Sequence, residues 1–288
     1  LIEAAQMMDE LYWEQCYGNK KWIESLQGKE RAFALVNYGP WDRLNNNEPI
    51  LTKDIKKSGA NFYPNDMTNE EFEAWQDSSK TSQYTMIRRD KSGKLMSVPY
   101  HVYFSKQLER VSYLLEQAAS LADDAGLRNY LHLRAKALIS DDYQASDMAW
   151  LEMKSNKIDI VIGPIENYED QLFGYKTSYE SFVLIKDMEW SRKLEKFNAF
   201  LPELQKGLPV KDVYKMEAPG SDTELNAYDV TQYRGDCNAG SKTIAINLPN
   251  DEEVQLKKGT RRLQLKNVMK ENLKRFWFPS LTSYWIPL

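Results

Sequence analysis

The hydrophobic pattern of this chain changes its period near Lys157, and this change decides the fold class. Before it, apolar residues recur at helical spacing from Phe104 to Leu121 and from Leu127 to Leu138. After it, the runs Ile158 to Ile162 and Ser181 to Ile185 have the composition and alternation of short strands. A run of helices followed by a run of strands is typical of an α+β chain. We therefore expect an α+β fold in which a helical N-terminal half packs with a small mixed sheet or a β-barrel lobe.

The change of hydrophobic period near Lys157 and the different composition of the last residues divide the chain into three predicted regions. Residues 1–150 form a mainly helical region with long aromatic loops, residues 151–270 an α+β lobe, and residues 271–288 an atypical tail. Residues 36–64 are rich in turn-forming and aromatic residues, so they predict either a wall of a binding cleft or a loop that wraps the helical core around Trp41 and Phe62. Thr68 and Glu71 form a capping box that predicts a helix start.

Further elements are predicted from local patterns on both sides of the change. The first seventeen residues predict a helix that ends before Gly18 and begins without a cap, so we expect the natural chain to extend upstream. Residues 84–103 predict a hairpin that turns at 89–94. A helix over 190–204 precedes two extended segments, 228–233 and 243–248, which a glycine-rich turn joins.

Charge and hydropathy exclude two classes of partner. The chain has 38 Lys and Arg against 42 Asp and Glu, a net charge of −4, so no positive field can neutralise a phosphate backbone and we expect no nucleic acid partner. No stretch approaches the roughly 20 apolar residues that span a bilayer, so we expect a soluble chain without a membrane partner. Because Leu1 opens no secretory pattern, cytoplasm and periplasm both stay open as the compartment.

The chain has too few cysteines and histidines to predict a disulfide framework or a metal site. The two cysteines, Cys16 and Cys237, lie far apart and are expected to be ordinary thiols. The two histidines, His101 and His132, have no His, Cys or carboxylate at the spacing of a metal site, so we expect structural roles for both. A zinc mechanism or a Ser-His-Asp mechanism carried by this chain alone would lack imidazole groups.

Polar residues gather near the ends of the predicted strands. Glu166 and Tyr168 follow one strand, Glu180 begins the next, and Asn247 and Asn250 flank the last. Two carboxylates that face one space favour a bound ammonium group, because each is costly to desolvate without a positive partner. The alternative interpretation is that each acid is an exposed turn residue.

Three segments of this sequence resemble segments that occur in the same order in a known protein family. Residues 162–170, 179–183 and 246–250 resemble the dipeptidyl peptidase III family of zinc metallopeptidases, and residues 228–237 and 242–249 resemble its bacterial members described as zinc-dependent hydrolases. The resemblance extends to about Lys270. It implies a hydrolase of the aminopeptidase type that releases dipeptides from the free N-terminus of oligopeptides. The fold it implies has a cleft between a helical zinc-bearing lobe and a lobe with a small β-barrel, so residues 151–270 would be the substrate-binding lobe.

The resemblance also assigns roles to the five polar residues. Glu166, Asn247 and Asn250 would hold the ammonium group of the peptide, and Glu180 would support that acidic pocket. Tyr168 would be the catalytic residue, donating to the scissile carbonyl or its oxyanion. The segment 244–248 would bind the extended peptide by β-addition.

The zinc motif of the family is absent from this sequence. Neither His-Glu-x-x-His, nor its form with one extra residue, nor the downstream Glu-Glu motif occurs. We therefore expect no zinc bound by this chain, although zinc is the cofactor of the family, and no activity from the chain alone. Because these motifs follow the region of residues 250–270 in the family, we expect a chain truncated before the zinc motif.

The tail is crowded with aromatic residues and does not resemble the family. A permitted coding of residues 271–288, read two nucleotides later, gives an amphipathic pattern that continues the preceding helix. We therefore favour a frameshifted end over an evolved one. We expect the exposed aromatic residues 276–278, 284 and 285 to drive self-association.

Three other functions remain as alternatives. One is a non-catalytic peptide-binding protein that uses the ammonium pocket for capture, and another is a plain helical interaction module. A Nudix hydrolase is disfavoured, because the Gly-x5-Glu-x7-Arg-Glu-x-x-Glu-Glu box is absent and the run Arg88 to Asp90 supplies nothing like its metal-binding helix.

Overall fold

The computed structural model of this chain describes residues 1–18, 20–215 and 224–273. The described helices are α1 (Ile2–Cys16), α2 (Lys21–Glu24), α3 (Gly28–Asn37), α4 (Asn69–Ala74), α5 (Tyr100–Tyr103), α6 (Ser105–Leu121), α7 (Ala125–Leu138), α8 (Gln144–Glu152), α9 (Met188–Asn198), α10 (Leu201–Gly207), α11 (Glu252–Lys258) and α12 (Lys266–Asn272). The described strands are β1 (Trp41–Asp42), β2 (Glu48–Pro49), β3 (Thr85–Arg89), β4 (Leu95–Pro99), β5 (Ile158–Glu166), β6 (Ser178–Lys186), β7 (Glu224–Gly235), β8 (Ala245–Leu248) and β9 (Arg261–Leu265). The predicted aromatic contacts of residues 274–288 lie outside the described residues.

The helical first half follows the predicted pattern closely. The stripes of α6 and α7 are buried over most of their length, with Leu108, Leu115 and Leu131 fully inaccessible, but Leu121 at the end of α6 is 83% exposed. The Thr68 side chain accepts the amide hydrogen of Glu71 and so caps α4. The predicted hairpin forms from β3 and β4, but residues 100–103 are helical rather than extended, because Pro99 ends β4 and α5 begins there.

The described part of the second half contains a mixed sheet of five strands in the order β5-β6-β7-β9-β8. Strands β7 and β9 are parallel, and the other neighbours are antiparallel. The sheet curls into a half-barrel. The two extended segments joined by the glycine-rich turn form parts of β7 and β8, and β9, which the sequence pattern did not predict, lies between these strands in the sheet. Strand β8 therefore forms one edge of the sheet.

The larger of two hydrophobic clusters among the described residues joins the helices to the sheet. Helix α1 packs on β6 and β7, and its buried Gln15 bonds to both ends of one peptide segment. The Gln15 side chain donates to the carbonyl oxygen of Thr177 at 3.1 Å and accepts the amide hydrogen of Tyr179 at 2.7 Å. The α+β class is thus confirmed. The boundaries at 150 and 270 stay predictions.

The irregular stretch of residues 36–64 wraps the core and also reaches the sheet. Phe62 is fully buried and Trp41 is half-buried. Two cations of this stretch, Arg43 and Lys56, lie against Glu169. In the described part of the chain, no helix is long and apolar enough to cross a membrane.

Candidate functional site

Glu166, the last residue of β5, contacts Asn250 in the segment between β8 and α11. The Asn250 amide Nδ2 donates to the Glu166 carboxylate Oε2 at 3.2 Å and lies 3.3 Å from the carbonyl oxygen of Ile165. Burial raises the pKa of Glu166, and the Asn250 hydrogen bond offsets part of this shift. The fold therefore brings two of the five predicted site residues into direct contact, although 84 positions separate them.

Glu180 lies within β6 between two glycines. It pairs with Gly163 on β5 and with Gly235 on β7, and it is only 3% exposed. Gly235 has a φ of 74°, and a Cβ there would lie 2.2 Å from the carbonyl oxygen of Tyr179. Glycine is therefore required at position 235 for β7 to approach Glu180 so closely.

Asp236 adds a third carboxylate that the sequence analysis missed. Burial raises its pKa to about 6, with a contribution from Glu169 that Arg43 partly offsets. Burial also raises the pKa of Glu180 well above its ordinary value, and the charges of Asp236 and Glu166 raise it further. We call Glu166, Glu180 and Asp236 the acidic pocket. Among the described residues, none of the three forms a salt bridge with a lysine or arginine.

Tyr168 lies beside the acidic pocket with 73% of its surface exposed. The charge of Glu166 raises the pKa of the Tyr168 hydroxyl, with smaller contributions from burial, Asp236 and Glu180. The hydroxyl therefore keeps its proton at neutral pH and can donate a hydrogen bond. The turn that carries Tyr168 is closed by the Asn167 side chain, which donates to the carbonyl oxygen of Gly174 at 2.6 Å.

Glu169 lies in the same turn and fixes it to Tyr12 of α1 and to Arg43 and Lys56. Its carboxylate accepts bonds from Arg43 Nη1 at 2.6 Å, Arg43 Nη2 at 3.1 Å and Tyr12 Oη at 3.2 Å, and Lys56 Nζ lies at 2.8 Å. Burial alone would raise the pKa of Glu169, but Arg43 and Lys56 lower it to about 2. We call Glu169, Arg43, Lys56 and Tyr12 the Glu169 network. No local pattern could have predicted it, because its members lie far apart in the sequence.

Asn247 is the predicted site residue that the structure does not link to the others. It is exposed on β8, opposite Arg262 of β9. Its side chain makes no hydrogen bond to another described residue. Its role in holding an ammonium group remains a prediction.

Comparison with known proteins confirms the resemblance. The profile of the family described as Peptidase family M49 matches residues 48–281, which is most of the chain. The chain belongs to peptidase family M49. Two solved structures are similar: dipeptidyl peptidase III from Caldithrix abyssi, with a TM-score of 0.91 and 38% identity, and dipeptidyl-peptidase III from Corallococcus sp. strain EGB, with a TM-score of 0.86 and 32% identity. The chain is covered to 96% and 98%, and the two relatives to 56% and 55%.

The curated relatives are also longer than this chain. It is 30% identical to Nudix hydrolase 3 from Arabidopsis thaliana, over 97% of this chain and 44% of that protein. It is 24% identical to dipeptidyl peptidase 3 from Homo sapiens, over 62% of this chain and 24% of that protein. The chain thus spans about half the length, or less, of the relatives it matches. The Nudix activity in one relative's name remains a statement about that relative.

The described donor groups do not fit the metal of an M49 metallopeptidase. His101 Nδ1 lies 2.8 Å from Asp141, and His132 contacts Glu116. Within residues 1–18, 20–215 and 224–273, no group of three or more His, Cys, Asp or Glu side chains could hold a metal ion. That the chain binds no zinc remains a prediction.

We expect Asp236→Asn to stabilise the protein at pH 7 by on the order of 1 kcal/mol, because a pKa unit corresponds to about 1.4 kcal/mol and solvent screens a half-buried group. The folded pKa of about 6 lies above the ordinary aspartate value, so the folded state keeps a proton that the unfolded state loses. Stability should therefore fall as the pH rises from about 4 to about 6, and the variant should lack this decline. Urea unfolding at pH 5 and pH 7 measures it. Exposed Asp123→Asn is the control, and parallel pH profiles for the original chain and Asp236→Asn would contradict the prediction.

Proposed function

We propose that this chain is the substrate-binding part of a dipeptidyl peptidase III-like M49 protein and captures the free N-terminus of oligopeptides. The observation that carries the proposal is the acidic pocket, in which three neighbouring carboxylates lack a salt bridge to any described cation. Membership of family M49 supports the peptide as the ligand class.

An ammonium group matches the electrostatics of this pocket. Burial raises the pKa values of Glu166, Glu180 and Asp236, so their negative charges are costly in this fold. A positive group placed among them would lower that cost and ionise the carboxylates fully. The Glu166 carboxylate and the Asn250 side-chain oxygen supply acceptors for ammonium hydrogens. Asn247 would add a further acceptor on the β8 side.

A fixed N-terminus would determine which peptide bond lies near Tyr168. When the N-terminus of the peptide is bound, its peptide bonds lie at fixed distances from that end, so one of them is positioned for reaction without a search in solution. The exposed hydroxyl of Tyr168 would then donate to a peptide carbonyl oxygen and stabilise negative charge that develops there. The position of β8 at the edge of the described sheet supports binding of an extended peptide through main-chain hydrogen bonds.

We further propose that the 288-residue chain binds peptides without cleaving them. In a zinc peptidase the metal activates the attacking water, and this sequence contains no His-Glu-x-x-His motif. A non-catalytic capture protein and an inactive part of a peptidase would bind peptides in the same way. An active enzyme would differ from both because it would also hydrolyse the peptides.

Binding of matched tetrapeptides tests the proposal. We expect a peptide with a free amine to bind at least about tenfold more tightly than its N-acetylated form, because acetylation removes the charge that the acidic pocket requires. Isothermal titration calorimetry at pH 7.5 measures both. Equal binding of the two forms would overturn the capture proposal. Zinc-dependent hydrolysis of a dipeptidyl-arylamide that Tyr168→Phe abolishes would overturn the proposed inactivity.

A further inference from the structure

A groove lies between α9, α12 and the strands β7 and β9. The N-terminal ends of the two helices are joined, because Lys266 at the start of α12 donates to Asp187, the N-cap residue of α9. The groove encloses about 1720 Å³ of empty space, counted up to its open mouth. We call it the apolar groove, after the side chains that form most of its lining: Trp190, Leu194, Leu225, Ala227, Met269 and Leu273.

The apolar stripe of α9 forms one wall of this groove and remains largely exposed. Trp190, Leu194 and Phe197 are spaced four and three positions apart, so their side chains lie on one face of the helix. Trp190 is 48% exposed and Phe197 is 63% exposed. An amphipathic helix normally buries such a stripe against a neighbouring element. The described residues therefore leave this face of α9 without its covering.

The floor of the groove is apolar as well. Leu225 and Ala227 lie two positions apart on β7, so they face the same side of the sheet. A contiguous apolar surface of this kind marks an interaction site. The volume exceeds the range of about 300–1,000 Å³ that is usual for small-molecule sites. The groove therefore suits a stretch of polypeptide better than a small ligand.

The sequence after α12 supplies an occupant of matching chemistry. Residues 276–288 contain no charged side chain, and five of them are Phe, Trp or Tyr. Each aromatic side chain buries roughly 150–250 Å² when it is covered. The segment begins three positions after Leu273, which itself lines the groove, so no linker has to cross a gap.

The length of this segment also matches the groove. Helix α9 has 11 residues, which corresponds to a length of about 16 Å. An extended segment over 276–288 reaches roughly 43 Å. It can therefore follow α9 from the mouth of the groove to the joined helix ends, even with turns at Pro279 and Pro287.

We propose that residues 276–288 fold back onto their own chain and fill the apolar groove with their aromatic side chains. Attachment favours this contact over one between two chains, since a short connection gives an effective concentration in the millimolar range. Self-association through the same aromatic residues then requires the segment to leave the groove.

This inference does not depend on the proposed function. Leu225 lies near the start of β7, and Gly235, which pairs with Glu180, is its last residue. Ten residues of strand correspond to roughly 33 Å. The apolar groove and the acidic pocket therefore lie at opposite ends of β7, and peptide capture can fail while this inference holds.

Disulfide trapping in the full 288-residue chain tests the contact. The double variant Leu194→Cys, Trp277→Cys places one thiol in the groove and one in the segment, and oxidised glutathione serves as the oxidant. The control is Leu121→Cys with Trp277→Cys, because Leu121 at the end of α6 is 83% exposed and does not line the groove. The native Cys16 and Cys237 are buried. We expect the groove pair to form an intrachain bond at least about tenfold faster than the control pair, because docking raises the local concentration of the two thiols.

A second measurement uses the unaltered chain and stays valid if a cysteine variant folds poorly. Hydroxyl-radical footprinting with mass spectrometry measures the solvent access of each tryptophan. Trp190 is 48% exposed, whereas Trp41 is half-buried, so an open groove predicts faster oxidation of Trp190 than of Trp41. A filled groove predicts the reverse order.

The outcomes identify the occupant. A preferred intrachain bond of the groove pair and a protected Trp190 support the proposal. Faster oxidation of Trp190 than of Trp41 shows an open groove and overturns it. A groove-pair bond that forms only between chains, in a dimer seen by size-exclusion chromatography, assigns the groove to a second copy. Equal bond formation by the two pairs shows that the segment does not dock there, and each of these last two results also contradicts the proposal.

Discussion

Glu166→Gln is expected to weaken binding of a tetrapeptide with a free N-terminus at least about 30-fold. The substitution keeps the shape of the side chain and an acceptor for Asn250, but it removes the carboxylate that would pair with the ammonium group. Loss of one partner of a desolvated, hydrogen-bonded charge pair typically costs about 2–5 kcal/mol, of which 2 kcal/mol corresponds to about 30-fold. Calorimetry at pH 7.5 measures the change.

The control for this result is Glu109→Gln on the exposed face of α6, which removes the same charge far from the acidic pocket. Stability is a second control. Since burial raises the pKa of Glu166, its neutralisation should not destabilise the free protein. Weakened binding with unchanged or increased stability assigns the effect to the ammonium contact. Unchanged affinity in Glu166→Gln would show that the peptide N-terminus binds elsewhere.

The largest stability effect is expected from Arg43→Met, which should lower the free energy of unfolding by about 3 kcal/mol. The variant leaves the buried Glu169 carboxylate with Lys56 as its remaining cation, and breaking one side of a buried ion pair commonly costs about 3–5 kcal/mol. Combining Arg43→Met with Glu169→Gln should recover only part of the loss, because the buried Lys56 then lacks its carboxylate partner. Urea unfolding of the single and double variants measures the coupling. A loss below about 1 kcal/mol would show that Lys56 and Tyr12 suffice.

The same network predicts how stability depends on acid. The pKa of Glu169 is lowered to about 2, below the ordinary glutamate value of about 4.3. Its contribution is therefore fully present above about pH 4.3 and is lost as the pH falls toward 2. Arg43→Met should reduce this loss of stability at low pH. An unchanged loss of stability at low pH in the variant would contradict the assignment.

The sequence predicted the fold class because hydrophobic period is a local property. The stripes of α6 and α7 and the runs that became β5 and β6 each reveal their structure within about 15 residues. Strand β9 was missed because Arg261 to Leu265 contains three polar residues and does not look like a buried strand. Arg261 is nevertheless fully buried against the carbonyl oxygens of Leu151 and Met153 and the carboxylate of Asp159.

The candidate site was predictable only in part. Glu166, Glu180 and Asn250 came from ordered segments that resemble the family, and the structure places Glu166 against Asn250. Asp236 was missed because its importance depends on Gly235 pairing with Glu180, a contact between distant segments. The Glu169 network depends on tertiary packing in the same way.

The contacts that hold the site join parts of the chain that are synthesised far apart in time. Tyr12 meets Glu169 across 157 positions, and Asp9 accepts the amide hydrogen of Gly235 across 226. Contacts of such long range form slowly, because a large loop must close before any of them is made. On the ribosome, Arg43 and Lys56 therefore emerge long before Glu169, and the acidic pocket can assemble only after Asp236 has left the exit tunnel. Binding competence should accordingly arise at the end of folding, together with completion of the sheet.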